Sequence, residues 1–334
     1  MQSNQIKKVT IAFVLVLSAI VIIILCGSQF VLVLSAIVII ILCGSQLVFQ
    51  KACIRKNRPW PDLGAADKKQ FELLTDAYKI KNIPSEQITI SASDGIKLTG
   101  NYYEREKNAP LIIYFHGLWS NSYIDGVRVP IYRITQEIHC NLVLVNMRAH
   151  DNSEGAFSTL GAVEKYDCKE WTNWAVNRFG KQTSIFLMGI SMGASSVMLS
   201  SSLDLPDSVH GIIDDCGYSS ALEMINVNCK NRLPSYIPVG VFDFFINIGT
   251  KMWGKFSLSE TDACDALSKT NIPVLIIHGN ADTQAPLYMA YRLYNSCRSE
   301  KSLLIVNDAG HAESYSKDPD TYEKTVKEFI QKHL

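Results

Sequence analysis

The 334-residue chain carries 32 basic and 32 acidic side chains, so its formal net charge at pH 7 is zero. This length can supply the core of one large α/β domain, and the balanced charge gives no electrostatic footprint for nucleic acid. The nine cysteines include no Cys-x-x-Cys pair and no cysteine–histidine cluster at zinc spacing. We therefore expect neither a metal site nor a disulfide framework, and no cofactor.

An apolar stretch at residues 9–49 follows a short polar terminus at 1–8. It contains no charged residue, and the sequence FVLVLSAIVIIILCGSQ occurs in it twice, at 13–29 and 30–46. One helix of that length would reach about 60 Å, roughly twice the thickness of a bilayer core. The stretch predicts a transmembrane anchor, built either as a single span or as a hairpin that turns near residues 27–29.

Basic residues flank this anchor on both sides. Lys7 and Lys8 precede it, and four basic residues follow it: Lys51, Arg55, Lys56 and Arg58. Because such residues favour the cytoplasmic face, a hairpin with the remaining chain in the cytoplasm satisfies the pattern best, whereas a single span leaves one basic cluster outside. A cleaved signal peptide is the alternative, but the stretch is too long and ends without a convincing small-residue cleavage site.

Residues 50–84 are predicted to form a linker with a lead-in helix at 68–78, and residues 85–334 a separate domain. Strand-like runs in that domain occur at 87–91, 97–103, 110–116, 141–148, 184–189, 211–215, 273–278 and 302–306. Helical patterns occur at 163–178, 192–202, 287–296 and 319–333. The first two runs predict a hairpin, and the alternation of the others with helices predicts a mostly parallel sheet covered on both faces.

The connection between residues 215 and 273 is too long for an ordinary loop. It contains the aromatic segment YIPVGVFDFFINIGTKMWGKF. We expect a helical cap at about 220–265, with an extra packing layer as the alternative, because aromatic residues at helical spacing also serve as core.

The strongest chemical motif is GISMG at residues 189–193, which follows a buried strand and opens a helix. A Gly-x-Ser-x-Gly pattern in this setting is typical of a nucleophile elbow, where Ser191 would occupy a strained turn that Gly189 and Gly193 leave unobstructed. A serine hydroxyl needs an imidazole to take its proton and a carboxylate to orient that imidazole.

Both partners are predicted beyond later strands of the sheet. His311 follows the last strand in the loop DAGH, and Asp282 follows the previous strand in HGNAD. The carboxyl ends of parallel strands meet at one edge of a sheet, where such sites assemble. Asp214 and Asp215 also end a strand and stay open as alternatives to Asp282, while His116 and His278 are expected to brace loops.

Attack by Ser191 on a carbonyl would create an oxyanion that needs fixed N–H donors. The expected donors are the backbone amides of Met192, directly after the nucleophile, and Leu118, in the loop after the third strand. Met192 also begins a helix, whose unpaired N–H groups favour negative charge.

The ordered set HGL, GISMG, HGNAD and AGH resembles the α/β-hydrolase superfamily over about residues 85–334. The resemblance is strongest to bacterial membrane-anchored hydrolases of the prolyl oligopeptidase-like and serine aminopeptidase-like branches. Their loop after the fourth strand is similar to RAHDNSEG at 148–155, followed here by GAVEKYD at 161–167, although Asp151 replaces a glycine of the pattern. The resemblance implies an eight-stranded sheet with an antiparallel second strand and a cap after the sixth.

These observations predict a membrane-anchored serine hydrolase that cleaves a carboxylic ester, possessing a small-molecule or lipid-like substrate and no nucleic-acid partner. Two alternatives stay open. One is a serine peptidase of the prolyl oligopeptidase-like kind, which the lack of an N-terminal propeller disfavours. The other is a non-catalytic, membrane-tethered binding protein on a hydrolase fold.

Overall fold

A computed structural model describes residues 16–20, 29–55, 76–77, 79–232 and 238–334. The proposed turn near 27–29 lies outside these residues, apart from Gln29, which is the first residue of a helix. The lead-in helix predicted at 68–78 also lies mostly outside them, although residues 76–77 are helical.

Eight strands form a single sheet in the spatial order β1-β2-β4-β3-β5-β6-β7-β8. Their bounds are β1 Glu86–Ser91, β2 Lys97–Tyr103, β3 Leu111–Phe115, β4 Asn141–Asn146, β5 Ile185–Ile190, β6 Val209–Asp215, β7 Val274–Gly279 and β8 Lys301–Val306. Strand β2 pairs antiparallel with both β1 and β4, and the remaining pairs are parallel. The predicted hairpin and mostly parallel sheet are therefore confirmed.

The central strands are apolar on both faces because both faces are covered. Every residue of β3, β4 and β5 is buried, which agrees with their continuous Val, Ile and Leu runs. One layer packs Trp171, Val197 and Leu293 against the sheet, and the opposite layer packs Ile131 and Tyr322 against it. The sheet thus separates two apolar cores and holds its carboxyl edge rigidly.

Eleven α-helices are named here for the described chain. They are α1 Gln29–Cys53, α2 Ser122–Arg128, α3 Ile131–Glu137, α4 Glu164–Phe179, α5 Met192–Ser200, α6 Ala221–Arg232, α7 Val239–Gly249, α8 Ala263–Leu267, α9 Leu287–Ser296, α10 Ser314–Lys317 and α11 Pro319–Lys332. The sequence pattern predicted four of the domain helices but missed α2 and α3. Pro130 separates these two short helices, so neither presents enough turns for a clear period.

The long connection after β6 is helical, as predicted for the cap. Helices α6 and α7 are followed by a π-helical turn at Thr250–Gly254 and a 3-10 turn at Leu258–Thr261 before α8. Thr250, Leu258 and Thr261 are buried in this region. Ala221 and Ile225 of α6 are buried as well, so both halves of the cap pack on the domain.

Helix α1 contains the whole second copy of the duplicated sequence and continues to Cys53, beyond the predicted anchor end at 49. Over Val31–Cys53 it is long and apolar enough to cross a membrane, and only 6% of its most apolar window is buried. Its carboxyl end, in contrast, is buried. Phe49 and Cys53 are both buried, and the Phe49 ring packs edge-on against the Phe157 ring, with 5.3 Å between the ring centroids. The helix thus projects from the domain but ends inside its packing.

A buried ion pair fixes the loop after β4 to helix α4. Arg148 donates from Nε and Nη2 to the two carboxylate oxygens of Asp167, each at 2.6 Å, and from Nη1 to Asp94 at 2.9 Å. Arg148 and Asp167 are only 6% and 5% exposed. Removing one partner of such a pair would leave an uncompensated buried charge.

We expect Arg148→Ala to lower the free energy of unfolding by about 3–5 kcal/mol, because Asp167 loses its partner. Chemical denaturation of the detergent-solubilised full chain measures this. The control is Lys269→Ala, which breaks an exposed pair with Asp265 at 2.6 Å and should cost less than about 1 kcal/mol. Equal effects of the two changes would contradict the structural role given to Arg148.

Candidate active site

Ser191 lies in a sharp turn between β5 and α5. Its backbone has φ 55° and ψ −115°, a conformation that a non-glycine residue adopts only when its surroundings enforce it. A Cβ on Gly193 would lie 2.1 Å from the carbonyl oxygen of Phe115, and one on Gly189 would lie 2.3 Å from the backbone of Gly193. Both glycines are therefore required for α5 to approach β3 and β5 this closely.

Three residues from three separate loops form a hydrogen-bonded chain. Ser191 Oγ lies 2.8 Å from His311 Nε2, and His311 Nδ1 lies 2.7 Å from Asp282 Oδ2. With the proton on Nδ1, His311 donates to Asp282 and accepts from the Ser191 hydroxyl. The structure thus brings together the serine, histidine and acid predicted from the sequence, in a geometry that can activate the hydroxyl.

The environment of Asp282 keeps its carboxylate charged. Burial raises the pKa of Asp282, but the hydrogen bond from His311 and the electrostatic interaction with it, together with the backbone N–H of Ala285, outweigh this and hold the pKa below its usual range. Asp282 Oδ1 accepts from the backbone N–H groups of Gln284 and Ala285 at 2.8 and 2.9 Å. The acid is therefore held by its own loop while its second oxygen faces the imidazole.

The alternative acids Asp214 and Asp215 have other partners. Asp214 Oδ1 accepts from the Gly217 N–H at 2.8 Å, and Asp215 Oδ2 accepts from the Tyr322 hydroxyl at 2.9 Å. Burial raises the pKa of Asp214 to about 8 and that of Asp215 to about 7. Asp282 is the acid that contacts His311 Nδ1. This contact favours Asp282 over Asp214 and Asp215 as the residue that orients the imidazole.

The loop after β3 lies directly beside the serine. A Cβ on Gly117 would be 3.5 Å from the Ser191 Cβ, so the adjacent Leu118 is carried close to the hydroxyl. Met192 is the first residue of α5, and within the described chain neither its backbone N–H nor that of Leu118 donates a hydrogen bond. Both amides are thus free to donate to a ligand, and their role as oxyanion donors stays a prediction.

Two side chains hold this loop: Asp125, which the sequence did not single out, and His150, which belongs to the RAHDNSEG motif but was not predicted to have this role. Asp125 accepts from the Gly117 N–H at 2.7 Å, and its other oxygen accepts from the Ser120 hydroxyl at 2.7 Å. His150 Nε2 accepts from the Trp119 N–H at 2.9 Å. Burial lowers the pKa of His150, so its ring stays neutral and able to accept. Leu118 therefore lies between two backbone amides that are each fixed by a side chain.

The loop RAHDNSEG has Asp151 where the family pattern has a glycine. Asp151 adopts φ 42°, which shows that aspartate occupies the left-handed region here. Glu164, in the following segment, accepts from the backbone N–H groups of Thr159 and Gly161 at 2.7 and 2.8 Å. The polar residues of these two motifs thus build the loops around the site and do not touch the serine.

His116 and His278 both brace loops, as predicted. His116 Nε2 accepts from the Met147 N–H at 3.1 Å, which joins the ends of β3 and β4. His278 Nε2 lies 2.6 Å from the carbonyl oxygen of Ala285 and spans the loop that carries the acid.

Cys216 lies beside Asp282 and His311, and one ligand atom of each falls within 4.8 Å of the others. Burial raises the pKa of the Cys216 thiol, so it stays protonated and is a poor metal ligand. Asp282 and His311 are already bonded to each other. The cluster therefore fits a Ser–His–Asp chain better than a metal centre.

Similar proteins agree with this fold. No family profile matches the sequence. The uncharacterised protein YqkD of Bacillus subtilis is 28% identical over 72% of this chain and 77% of its own length. The lysophosphatidylserine lipase ABHD12 of Danio rerio is 23% identical over 60% of this chain, but only 51% of its own length is covered. The Pyrococcus furiosus esterase Pf2001 superposes with a TM-score of 0.61, covering 76% of this chain and 95% of that one at 20% identity.

The eight-stranded sheet and the superposition on Pf2001 show that the chain has the α/β-hydrolase fold. The predicted fold class is confirmed.

The buried Asp214 predicts a pH-dependent stability. The pKa of Asp214 is higher in the folded chain than in the unfolded chain. Its contribution to the free energy of unfolding is therefore fully present below about pH 4 and is lost as the pH rises through about 8. We expect Asp214→Asn to gain stability relative to the wild type between pH 5 and pH 9, because asparagine cannot ionise. Denaturation curves at several pH values measure the difference, and a constant difference would contradict the buried-carboxyl explanation.

Proposed function

We propose that this protein is a serine hydrolase that cleaves a carboxylic ester, with Ser191 as nucleophile, His311 as general base and Asp282 as the residue that orients the imidazole. The observation that carries the proposal is the continuous Ser191–His311–Asp282 hydrogen-bonded chain, with separations of 2.8 and 2.7 Å. The names of two similar proteins, an esterase and a lysophosphatidylserine lipase, support an ester as substrate.

In the first half of the reaction, His311 Nε2 takes the hydroxyl proton as Ser191 Oγ attacks the ester carbonyl. The charge that develops on the imidazolium is stabilised by Asp282, whose carboxylate is already 2.7 Å from Nδ1. His311 then protonates the leaving alcohol, which leaves an acyl-serine. In the second half, the same imidazole removes a proton from water as the water attacks the acyl group, and returning that proton to Oγ breaks the ester bond to Ser191 and releases the carboxylic acid.

The tetrahedral oxyanion of both steps would lie at the backbone amides of Leu118 and Met192. The amides are preorganised, because Asp125 and His150 fix the loop on either side of Leu118 and α5 fixes Met192. Preorganised donors stabilise developing charge without reorganisation during the reaction.

Substitution at the serine and the acid tests this assignment. Ser191→Ala should abolish fluorophosphonate labelling and the hydrolysis of short p-nitrophenyl esters. Asp282→Asn should lower kcat/KM by roughly 10³- to 10⁴-fold, because the imidazole loses its orienting carboxylate. Asp214→Asn is the matched control and should retain most activity, since its carboxyl contacts Gly217.

Two results would overturn the assignment. Ester hydrolysis that persists in a folded Ser191→Ala protein would exclude Ser191 as nucleophile. If the Asp282→Asn protein is active and the Asp214→Asn protein is inactive, the catalytic acid would be Asp214, at the end of β6, and not Asp282. A panel of esters and peptides distinguishes an esterase from a peptidase.

We also propose that α1 anchors this enzyme in a membrane. The apolar length of Val31–Cys53 and its low burial support a span. The burial of Ser45, Phe49 and Cys53 in the packing of the domain supports retention over removal as a signal peptide, because cleavage beyond them would strip buried contacts from the fold.

The basic residues that follow α1 predict that the domain faces the cytoplasm. In sealed right-side-out membrane vesicles, we expect protease to digest residues 79–334 only after the membrane is permeabilised. A periplasmic protein and a cytoplasmic protein in the same vesicles are the controls. Digestion in intact vesicles would place the domain on the outer side.

A further inference from the structure

Helix α7 of the cap is apolar on the side that faces away from the domain. Val241 and Phe244 are 47% and 49% exposed. Its inner side is apolar as well, because Ile246 is fully buried, and Asp243 accepts a hydrogen bond from Asn226 of α6 at 3.1 Å. A helix on a water-facing surface has a polar outer face, so the outer face of α7 suits an apolar surrounding.

This face continues onto helix α1. A Cβ on Gly249 of α7 would lie 2.5 Å from the carbonyl oxygen of Ser45, and one on Gly44 would lie 2.5 Å from the Phe245 ring. Trp253 Nε1 also donates to Ser45 Oγ at 3.4 Å. Small residues that let two helix backbones approach are typical of packing within membranes.

The exposed apolar residues of the two helices, including Ile40 and Leu47 on α1 and Val241 and Phe244 on α7, are here called the cap–anchor surface. Helix α7 packs against residues 44–49 of α1, so it lies beside the carboxyl-terminal part of the anchor.

Both helices change from apolar to basic at the same level. On α1 the first charged residue is Lys51, one turn or less beyond Phe49. On the cap, Lys251 and Lys255 are exposed and flank Gly254, where a Cβ would lie 2.9 Å from the Phe49 ring. Lysines at the end of an apolar segment suit the phosphate headgroups of a bilayer. The two helices therefore share one polarity boundary.

The carboxyl edge of the sheet, which carries Ser191, lies on the same side as this boundary. Arg55, directly after α1, donates to the carbonyl oxygen of Ser153 at 2.8 Å in the loop after β4. From the cap, Asn228 donates to the carbonyl oxygen of Gln284 at 3.1 Å, beside Asp282. The anchor thus leaves the domain at the edge where the candidate active site opens.

We propose that the cap–anchor surface is embedded in a lipid bilayer, with α7 lying at the membrane interface beside α1, and that the site takes its ester from molecules dissolved in that bilayer. The substrate part rests on the proposed ester hydrolysis, whereas the contact with lipid does not. An acyl chain that reaches the site directly from the bilayer avoids exposure to water, so the enzyme would act on membrane esters without extracting them into water.

Site-specific photo-crosslinking tests the contact with lipid. The full chain is reconstituted in phosphatidylcholine–phosphatidylglycerol vesicles that carry an alkyne-tagged phospholipid, with benzoylphenylalanine in place of Phe244. We expect a lipid adduct at position 244 and none at position 328, where Glu328 is an exposed residue of α11 on the opposite layer. No lipid adduct at 244, or an adduct to a second copy of the chain, would overturn the proposal.

Matched substitutions at Phe244 test the source of the substrate. Phe244→Asp should lower hydrolysis of a long-chain ester embedded in vesicles by about tenfold or more, because the charge opposes burial of α7 in the interface. Hydrolysis of a soluble short-chain ester should stay within about twofold of wild type. Phe244→Leu keeps the face apolar and should behave as wild type on both substrates.

The outcomes separate the two proposals. An equal loss on both esters, or no loss on either, would overturn the role given to α7. Short-ester hydrolysis that survives Ser191→Ala would instead overturn the proposed function, while the lipid adduct at position 244 needs no turnover and would persist.

Discussion

The close approach of helix α5 to the ends of β3 and β5 is the contact on which the site depends. Gly193 lies where any side chain would collide with the Phe115 carbonyl, and Gly189 lies where one would collide with Gly193 itself. Because the helix is pressed this near the sheet, the residue between β5 and α5 must adopt positive φ. That strain lifts the Ser191 hydroxyl above the carboxyl edge, within reach of the loop that carries His311.

The sheet could be predicted from the sequence because its signal is local and strong. Strands β3, β4 and β5 are buried on both faces, so each appears in the sequence as an uninterrupted apolar run. The serine, histidine and acid were also predictable, since each follows a recognisable strand and parallel strands bring their carboxyl ends to one edge. Helices α2 and α3 were not predicted. Each has only about two turns, on either side of Pro130, which is too short to show a helical periodicity of apolar residues.

The supports of the site could not be predicted, because they depend on contacts between distant parts of the chain. Asp125 binds the Gly117 amide from a helix that the sequence did not reveal, and His150 reaches Trp119 from the loop after β4. No spacing or composition marks either pairing. The packing of α1 on the cap could not be predicted either. The need for glycine at positions 44 and 249 is evident only when the two helices are seen in contact.

The buried carboxyl end of α1 has a consequence for the integrity of the protein. Phe49 and Cys53 lie in the domain packing, and Ser158 donates its backbone N–H to the Cys53 carbonyl at 2.8 Å. These contacts join α1 to the domain independently of the peptide bonds that connect them along the chain. A molecule cleaved between α1 and the domain would therefore stay together as a two-piece complex, and separating the pieces would require unfolding the packing that joins them.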